Sequence, residues 1–281
     1  MREVSANIIK DAVKDLFLEA NYVIGKDIHD KLKEQYEKEE SQVGKSILRQ
    51  IIENDDIAAQ ERIAICQDTG MAVLFIELGQ EVHIINGDFN EAVNQGVREA
   101  YAEGYLRKSV VTDPLFDRKN TKDNTPAVIH LQMVSGDQIK ILVTPKGFGS
   151  ENMSAIKMLK PSDGRKGVKD FVVETVVKAG PNPCPPVIVG VGVGGTVEKA
   201  AAIAKKATLR SVGQYNPDER YALLEKEILE EINKSGIGPG GLGGRTTALS
   251  VNIDYYPTHI AGMPVVVNIC CHAARHAETI I

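Results

Sequence analysis

Three cysteines stand in loop-like sequence beside apolar runs, where a thiol is well placed to bind a metal or to react. Cys66 lies in "AICQDTGMAV", Cys184 in "PNPCPPVIVG" and Cys271 in "VNICCHAARH". Each falls near the end of a predicted helix or strand, and loops at such ends can converge on one site. The prolines around Cys184 exclude a helix and a regular sheet interior, so they hold its sulfur in one direction. The alternative for any one cysteine is a small buried hydrophobic residue.

The spacing of these cysteines does not favour structural zinc, whose ligands usually come in short pairs such as C-x2-C. Widely separated thiolates suit an iron–sulfur cluster held between several parts of a completed fold. If the strand before Cys271 is extended to its end, Cys270 and Cys271 point to opposite faces, so that one of them faces a shared cluster. Three thiolates then remain for a cubane that normally takes four, and the fourth iron would be open to act as a Lewis acid.

Six motifs strengthen this interpretation, because together and in this order they resemble one family. They are "CQDTG", "KGFGSENMS", "PNPCPPVIVGVGVGGT", "GIGPGGLGGRTTAL", "THIAGMPVVVN" and "CHAARH". The chain resembles the alpha (N-terminal) part of the class I fumarase and L-tartrate dehydratase family from about residue 40 onward. Any one motif would be weak, whereas six in order are specific.

The resemblance implies a 4Fe–4S cluster whose open iron binds a hydroxy-dicarboxylate. It assigns the three ligands to Cys66, Cys184 and Cys271, because the family's last ligand directly precedes the histidine of "CHAARH". Cys270 occupies a position where the family holds another residue, and we expect it to be a bystander.

The resemblance also assigns roles around the cluster. Asp68 is expected to handle the proton of the iron-bound hydroxyl as a general acid and base, and Gln67 is expected to meet the substrate. Arg107 matches an arginine that grips a substrate carboxylate with its planar fork. Gly149 matches a backbone contact near the cluster, and His259 matches a histidine that reaches a substrate carboxylate across a dimer interface. The ordinary alternatives are a turn aspartate, a surface arginine and a structural histidine.

The implied activity is that of the alpha subunit of a two-subunit hydro-lyase, with fumarate and malate as the leading substrate pair and L-tartrate as the alternative. We expect a separate beta subunit to complete the active site, and an alpha–alpha dimer within a heterotetramer. A cluster-binding redox sensor without turnover and a metal-free structural subunit are the alternatives from other functional classes.

The elements that must position these residues are predicted from apolar periodicity. Residues 1–64 are mainly helical, with Ser41 as the cap of the third helix, and strands and helices alternate thereafter. The runs "PAVIHLQMV" and "QIKILVTP" predict a hairpin around "SGDQ". The sum is an α/β fold, a helical N-terminal layer on a mixed-sheet body that holds the iron–sulfur cluster. We expect residues 1–281 to form a single iron–sulfur hydro-lyase catalytic domain of the alpha type.

Composition narrows the functional class further. The 281-residue chain has a formal net charge of −5, which argues against broad nucleic-acid binding. We find no secretory signal and no apolar run long enough for a membrane span, so a cytoplasmic enzyme is expected. The segment "GVGVGG" follows a predicted strand but lacks the spacing and acidic partner of a dinucleotide site.

Overall fold

A computed structural model describes all 281 residues, and the chain forms two compact units. The first unit comprises Met1–Ile24, Asp55–Phe148 and Arg275–Ile281, and the second comprises Gly25–Asn54 and Gly149–Ala274. Both units combine helices with mixed sheets, so the predicted α/β class is confirmed. The expectation of a single catalytic domain over 1–281 stays a prediction.

The first unit contains a two-stranded parallel sheet and a four-stranded mixed sheet. Its elements are β1 (Arg2–Ser5), α1 (Ala6–Tyr22), β2 (Met71–Gly79), β3 (Val82–Ile85), α4 (Phe89–Glu103), β4 (Val128–Val134), β5 (Ile139–Lys146) and β10 (Ala277–Ile280). Strand β1 was not predicted, because a short strand at a chain start has too few residues to show a period.

The predicted hairpin of β4 and β5 is wrong, because β2 lies between them in the order β10-β5-β2-β4. Strand β2 pairs with β4 in parallel and with β5 antiparallel. Five consecutive residues of β2, at 72–76, are buried, which is the pattern of a central strand. The "SGDQ" turn instead hydrogen-bonds to the end of β2, where the amide of Gly79 donates to the carbonyl of Gln138 at 2.9 Å.

The second unit is built on a four-stranded sheet with the order β6-β9-β7-β8. Its elements are α2 (Lys26–Lys38), the first part of α3 (Gln42–Glu61), most of α5 (Phe148–Glu151), β6 (Ala155–Leu159), α6 (Gly164–Ala179), β7 (Val187–Gly194), α7 (Val197–Ala207), α8 (Glu219–Asn233), β8 (Ala248–Tyr256) and β9 (Met263–Cys270). The Ser41 cap of α3 is confirmed, because its hydroxyl accepts the amide of Gly44 at 3.1 Å. No helix of the chain has the length and apolar character that a membrane crossing requires.

Strand β7 is buried along its whole length because helices cover both of its faces. The valines at 187, 189, 191 and 193 join the core of α6 and α8, whereas Gly190 and Gly192 face α7. A Cβ on either glycine would lie 2.1 Å or less from a main-chain oxygen of α7. The glycines of "GVGVGG" therefore allow close packing of helix on strand, which agrees with our rejection of a dinucleotide site.

Candidate active site

The loop 66–70, which carries the first cysteine, is held by buried side chains through three consecutive main-chain carbonyls, those of residues 68, 69 and 70. Arg275 donates from Nη2 to the first carbonyl at 2.6 Å. The hydroxyl of Tyr101 reaches the second at 2.5 Å, and Nδ2 of Asn124 reaches the third at 3.1 Å. Burial raises the pKa of Tyr101, so its hydroxyl keeps the proton that it donates. The conformation of the loop is therefore fixed from three directions.

The carboxylate of Asp68 is fixed as well. Its Oδ1 accepts the amide of Gly70 at 3.1 Å, and its Oδ2 accepts the amide of Phe148 at 2.9 Å. Gly147 lies against the carboxylate, because a Cβ there would be 3.1 Å from Oδ2. Each oxygen thus accepts one N–H and keeps further lone-pair capacity, which a proton can use.

Arg107 is tied to the same loop by its main chain. The hydroxyl of Thr69 donates to the carbonyl of Arg107 at 3.0 Å, while the guanidinium itself is exposed. Gln67 is exposed and Asp68 is half-buried. The main chain of Arg107 is thus fixed to the Asp68 loop, while its guanidinium is exposed. Such a guanidinium can bind a carboxylate of a ligand through two parallel hydrogen bonds.

In the second unit, Cys184 sits exposed in a tight turn between buried prolines. Its amide donates to the carbonyl of Pro181 at 3.0 Å, and its φ of +52° lies in the left-handed region. Its carbonyl accepts the amide of His272 at 3.4 Å. This bond joins the proline-rich turn 181–186, called here the proline frame, to the segment that follows β9. That segment contains Cys271.

The two adjacent cysteines differ in burial. Cys270 is the last residue of β9, lies opposite Ile188 of β7 and is 6% exposed. Cys271 follows the strand and is half-buried. The thiol with access to a ligand is therefore that of Cys271.

The glycine-rich loop 236–247 packs on the proline frame. Gly241 has a φ of +74°, and a Cβ there would lie 2.2 Å from the Cβ of Pro181. The amide of Gly240 donates to the carbonyl of Pro185 at 2.8 Å. This segment supports the Cys184 turn, and a larger residue at 241 would push the two apart.

A buried carboxylate anchors this glycine-rich loop. Glu39, 2% exposed, accepts the amides of Arg245 at 3.0 Å and Thr246 at 3.1 Å, and also those of Glu40 and Ser41. Burial raises the pKa of Glu39 and the backbone amides lower it; the amides prevail, so the pKa lies below its ordinary value of 4.5. Glu39 is therefore an anion whose hydrogen bonds depend on its charge.

Gly149 is exposed near the proline frame, where a Cβ would first meet the carbonyl oxygen of Asn182 at 3.9 Å. The preceding Phe148 has no positive φ, so its backbone suits an ordinary side chain. His259 is exposed in the turn before β9, and its Nδ1 accepts the amide of Ala261 at 3.2 Å.

The structure divides the predicted site residues between the two units. Those on the fixed loop and the segment tied to it are in the first unit: Cys66, Gln67, Asp68 and Arg107. The others are in the second unit: Gly149, Cys184, His259 and Cys271. Because His259 precedes the eight-residue β9 and Cys271 follows it, roughly 26 Å of extended strand separates them. A single chain therefore does not bring His259 close to Cys184 and Cys271.

The buried supporting residues that were missed from the sequence include Arg275, Tyr101, Asn124 and Glu39. Arg275 lies inside the quoted motif "CHAARH", which was a signal that could have pointed to it. Tyr101 lies at a core position of α4, and Glu39 lies just after α2. No local sequence pattern marks such residues as supports of a distant loop.

The sequence matches those of known proteins along most of its length. The sequence model of the fumarate hydratase (Fumerase) family matches residues 10–280. The chain belongs to the fumarate hydratase family. The sequence-based predictions of this family and of a hydro-lyase are thereby confirmed.

Individual relatives within the fumarate hydratase family carry a more specific name. A Methanocaldococcus jannaschii protein, provisionally assigned as L(+)-tartrate dehydratase subunit alpha, is 45% identical over 275 residues and 96% of each chain. The L(+)-tartrate dehydratase subunit alpha of Escherichia coli O157:H7 is 35% identical over 91% of this chain and 84% of its own. That of Shigella sonnei is 34% identical over the same shares.

Proposed function

We propose that this chain is the alpha subunit of an iron–sulfur hydro-lyase that acts on C4 hydroxy-dicarboxylates, with L(+)-tartrate as its preferred substrate. The sequence alone put fumarate and malate ahead of tartrate. The names of the relatives favour the reverse order, since those of 45% and 35% identity are both named for L(+)-tartrate dehydratase.

The hydrogen bond between His272 and Cys184 is the observation that carries the proposal. It joins two segments that are distant in the sequence, each with an accessible cysteine, while Cys270 is withdrawn into the sheet. A core role for all the cysteines would predict burial of Cys184, which is exposed instead.

The donor chemistry of these thiols suits an iron–sulfur cluster, although the structure gathers no three His, Cys, Asp or Glu side chains as a metal site. Thiolates are its normal ligands, and Cys184 and Cys271 lie on adjoining segments of one unit, with Cys66 on the fixed loop of the other. In the proposal these three cysteines hold the cluster. When bound, the cluster would supply an open iron as a Lewis acid toward a substrate hydroxyl or carboxylate.

The chain's own residues would bind the dicarboxylate and move one proton. Asp68 has both oxygens oriented by backbone amides, so it can hold the proton that accompanies the departing hydroxyl as water. Arg107 would grip one carboxylate with its exposed guanidinium, and Gln67 would contact the substrate from the same loop. Gly149 would contribute a main-chain contact.

His259 would act in the site of a neighbouring copy. Its position at the far end of β9 from Cys271 supports the expected alpha–alpha dimer, because a residue so placed cannot serve the same chain's cysteine pair. The words "subunit alpha" in the relatives' names support a separate beta subunit.

The test is turnover by the anaerobically assembled two-chain enzyme with L-tartrate and L-malate in parallel. Dehydration of tartrate releases water and gives oxaloacetate through its enol, and dehydration of malate gives fumarate. We expect a higher kcat/KM for L-tartrate. Faster turnover of malate would reverse the order of substrates, and a cluster without turnover of either would favour the redox-sensing alternative.

A further inference from the structure

We propose that Arg275 is a positioning residue for Asp68: its buried guanidinium locks the loop that presents this carboxylate. The inference rests on the proposed role of Asp68 as the proton-handling group. Arg275 itself is 2% exposed, so it cannot touch a substrate and must act through the groups that it holds.

The contacts of Arg275 are all with neutral oxygens of the first unit. Nη2 donates to the main-chain carbonyls of Asp68 at 2.6 Å and Pro145 at 3.4 Å, and Nη1 donates to Oδ1 of Asn21 at 3.2 Å. Its Nε has no hydrogen-bond partner. Its own carbonyl accepts the hydroxyl of Thr144 at 2.8 Å, which fixes the arginine to β5.

Burying the guanidinium of Arg275 without an opposite charge costs free energy. A buried charge is normally paired with an opposite charge, and an apolar side chain of similar volume is often at least as stable as a buried ion pair. Arg275 is in no ion pair of the chain and still leaves one donor unsatisfied. The residue type therefore points to the bond it makes with the Asp68 carbonyl, the shortest of its contacts.

The placement keeps the cation close to the Asp68 side chain without bonding to it. Both groups lie beside Gly147, since a Cβ there would be 3.1 Å from Oδ2 of Asp68 and 3.7 Å from Nη2 of Arg275. A direct bidentate pair would occupy the carboxylate oxygens. By holding the main chain instead, Arg275 fixes the direction of the carboxylate without forming an ion pair with it.

The first test measures the loop in the full chain without substrate turnover. Arg275→Met removes the donors, Arg275→Lys keeps one charged donor, and Arg210→Met is the matched control. Arg210 is a mostly buried arginine of the second unit that bonds to Glu225 and Asp254. We expect amide hydrogen exchange at Gly70 and Phe148, the two donors to the Asp68 carboxylate, to be at least tenfold faster in Arg275→Met and intermediate in Arg275→Lys.

Unchanged exchange at both amides in Arg275→Met would overturn the proposal. So would equal acceleration in Arg210→Met, because that would show a general loss of stability. If Arg275→Met does not fold, Arg275→Lys decides: faster exchange confined to the 66–70 loop and Phe148 supports the proposal, and exchange like that of the unaltered chain overturns it.

The second test is kinetic, with the assembled two-chain enzyme and rates expressed per cluster. A misdirected Asp68 should lower kcat at least tenfold in Arg275→Met while KM changes less than threefold, and Arg275→Lys should recover part of kcat. An unchanged kcat, or a rise in KM alone, would overturn the positioning role. If the unaltered enzyme turns over neither L-tartrate nor L-malate, the proposed function fails, and the exchange test still decides the role of Arg275.

Discussion

Cys184 adopts a backbone conformation that disfavours most side chains. Its φ of +52° lies in the left-handed region, which costs an ordinary L-residue about 1 kcal/mol relative to glycine. Exposure removes any gain from burying the side chain. In our proposal the sulfur of Cys184 binds the cluster, and strain of this kind is concentrated at ligand sites.

We predict that Cys184→Ser and Cys271→Ser each abolish binding of the iron–sulfur cluster, whereas Cys270→Ser retains it. A serine hydroxyl is a poor replacement for a thiolate, and the side chain of Cys270 is buried in the β7–β9 sheet. Iron and sulfide content after anaerobic reconstitution, with the visible spectrum, measures the outcome. Loss of the cluster in Cys270→Ser with retention in Cys271→Ser would reverse our assignment.

Glu39 offers a prediction about pH, because its pKa lies below its ordinary value of 4.5 in the folded chain. A depressed pKa means that ionisation of Glu39 stabilises the fold fully above pH 4.5 and that this contribution is lost as the pH falls through the folded pKa. Glu39→Gln places an amide NH2 against backbone N–H donors, so we expect a loss of about 1–3 kcal/mol near pH 7. Denaturant unfolding measures it.

The difference between the unaltered chain and Glu39→Gln should shrink as the pH falls below 4.5, since the carboxyl then becomes protonated. Glu40→Gln is the matched control, because Glu40 is adjacent but its side chain is exposed in an ion pair with Arg245. We expect it to change stability by less than about 0.5 kcal/mol. A difference for Glu39→Gln that is constant between pH 7 and pH 3 would contradict the ionised role.

The sequence suggested the chemical residues of the proposed site, but it did not suggest the residues that support them. Cys184 and Asp68 stand in short motifs whose neighbours reveal them. Glu39 and Arg275 act on partners about two hundred residues away in the chain. A buried charged residue that binds distant backbone groups leaves no periodicity or spacing in the neighbouring sequence that would reveal its role.

At the scale of elements, apolar patterns predicted most helices and strands but not how the strands pair. Strands β4 and β5 are adjacent in sequence, and a short polar turn favours a hairpin. Strand β2 is nevertheless the most continuously apolar strand of its sheet, and in the structure it is paired along both edges, with β4 and with β5. The free energy gained by placing β2 in the middle of the sheet outweighs the advantage of a short connection between β4 and β5.

The packing of α7 on β7 provides a prediction at the same scale. We expect Gly192→Ala to destabilise the chain by about 1–3 kcal/mol or more, because the new Cβ would lie 2.0 Å from the carbonyl oxygen of Ala200. Gly262→Ala is the control, since a Cβ there meets its nearest atom at 4.0 Å. Thermal unfolding of both variants measures the difference, and equal stability would mean that α7 can shift to make room.

At the scale of the whole molecule, a hydro-lyase has two protons to manage. One accompanies the leaving hydroxyl as water, and the other leaves the neighbouring carbon. In our proposal Asp68 takes the first role, and none of the predicted site residues is assigned to the second. The carbon-bound proton therefore needs a group from outside the predicted set.

We predict that the purified chain, loaded with its cluster, dehydrates neither L-tartrate nor L-malate, and that adding the beta subunit restores turnover. Relatives that share most of their length with this chain are named as alpha subunits, which supports a second chain as the source of the missing base. The measurement is steady-state formation of oxaloacetate and fumarate at matched cluster content, with and without the partner. Cluster absorbance unchanged by the partner would show that the gain comes from the added catalytic group. Turnover by the chain alone would instead place the carbon-proton base among its own residues.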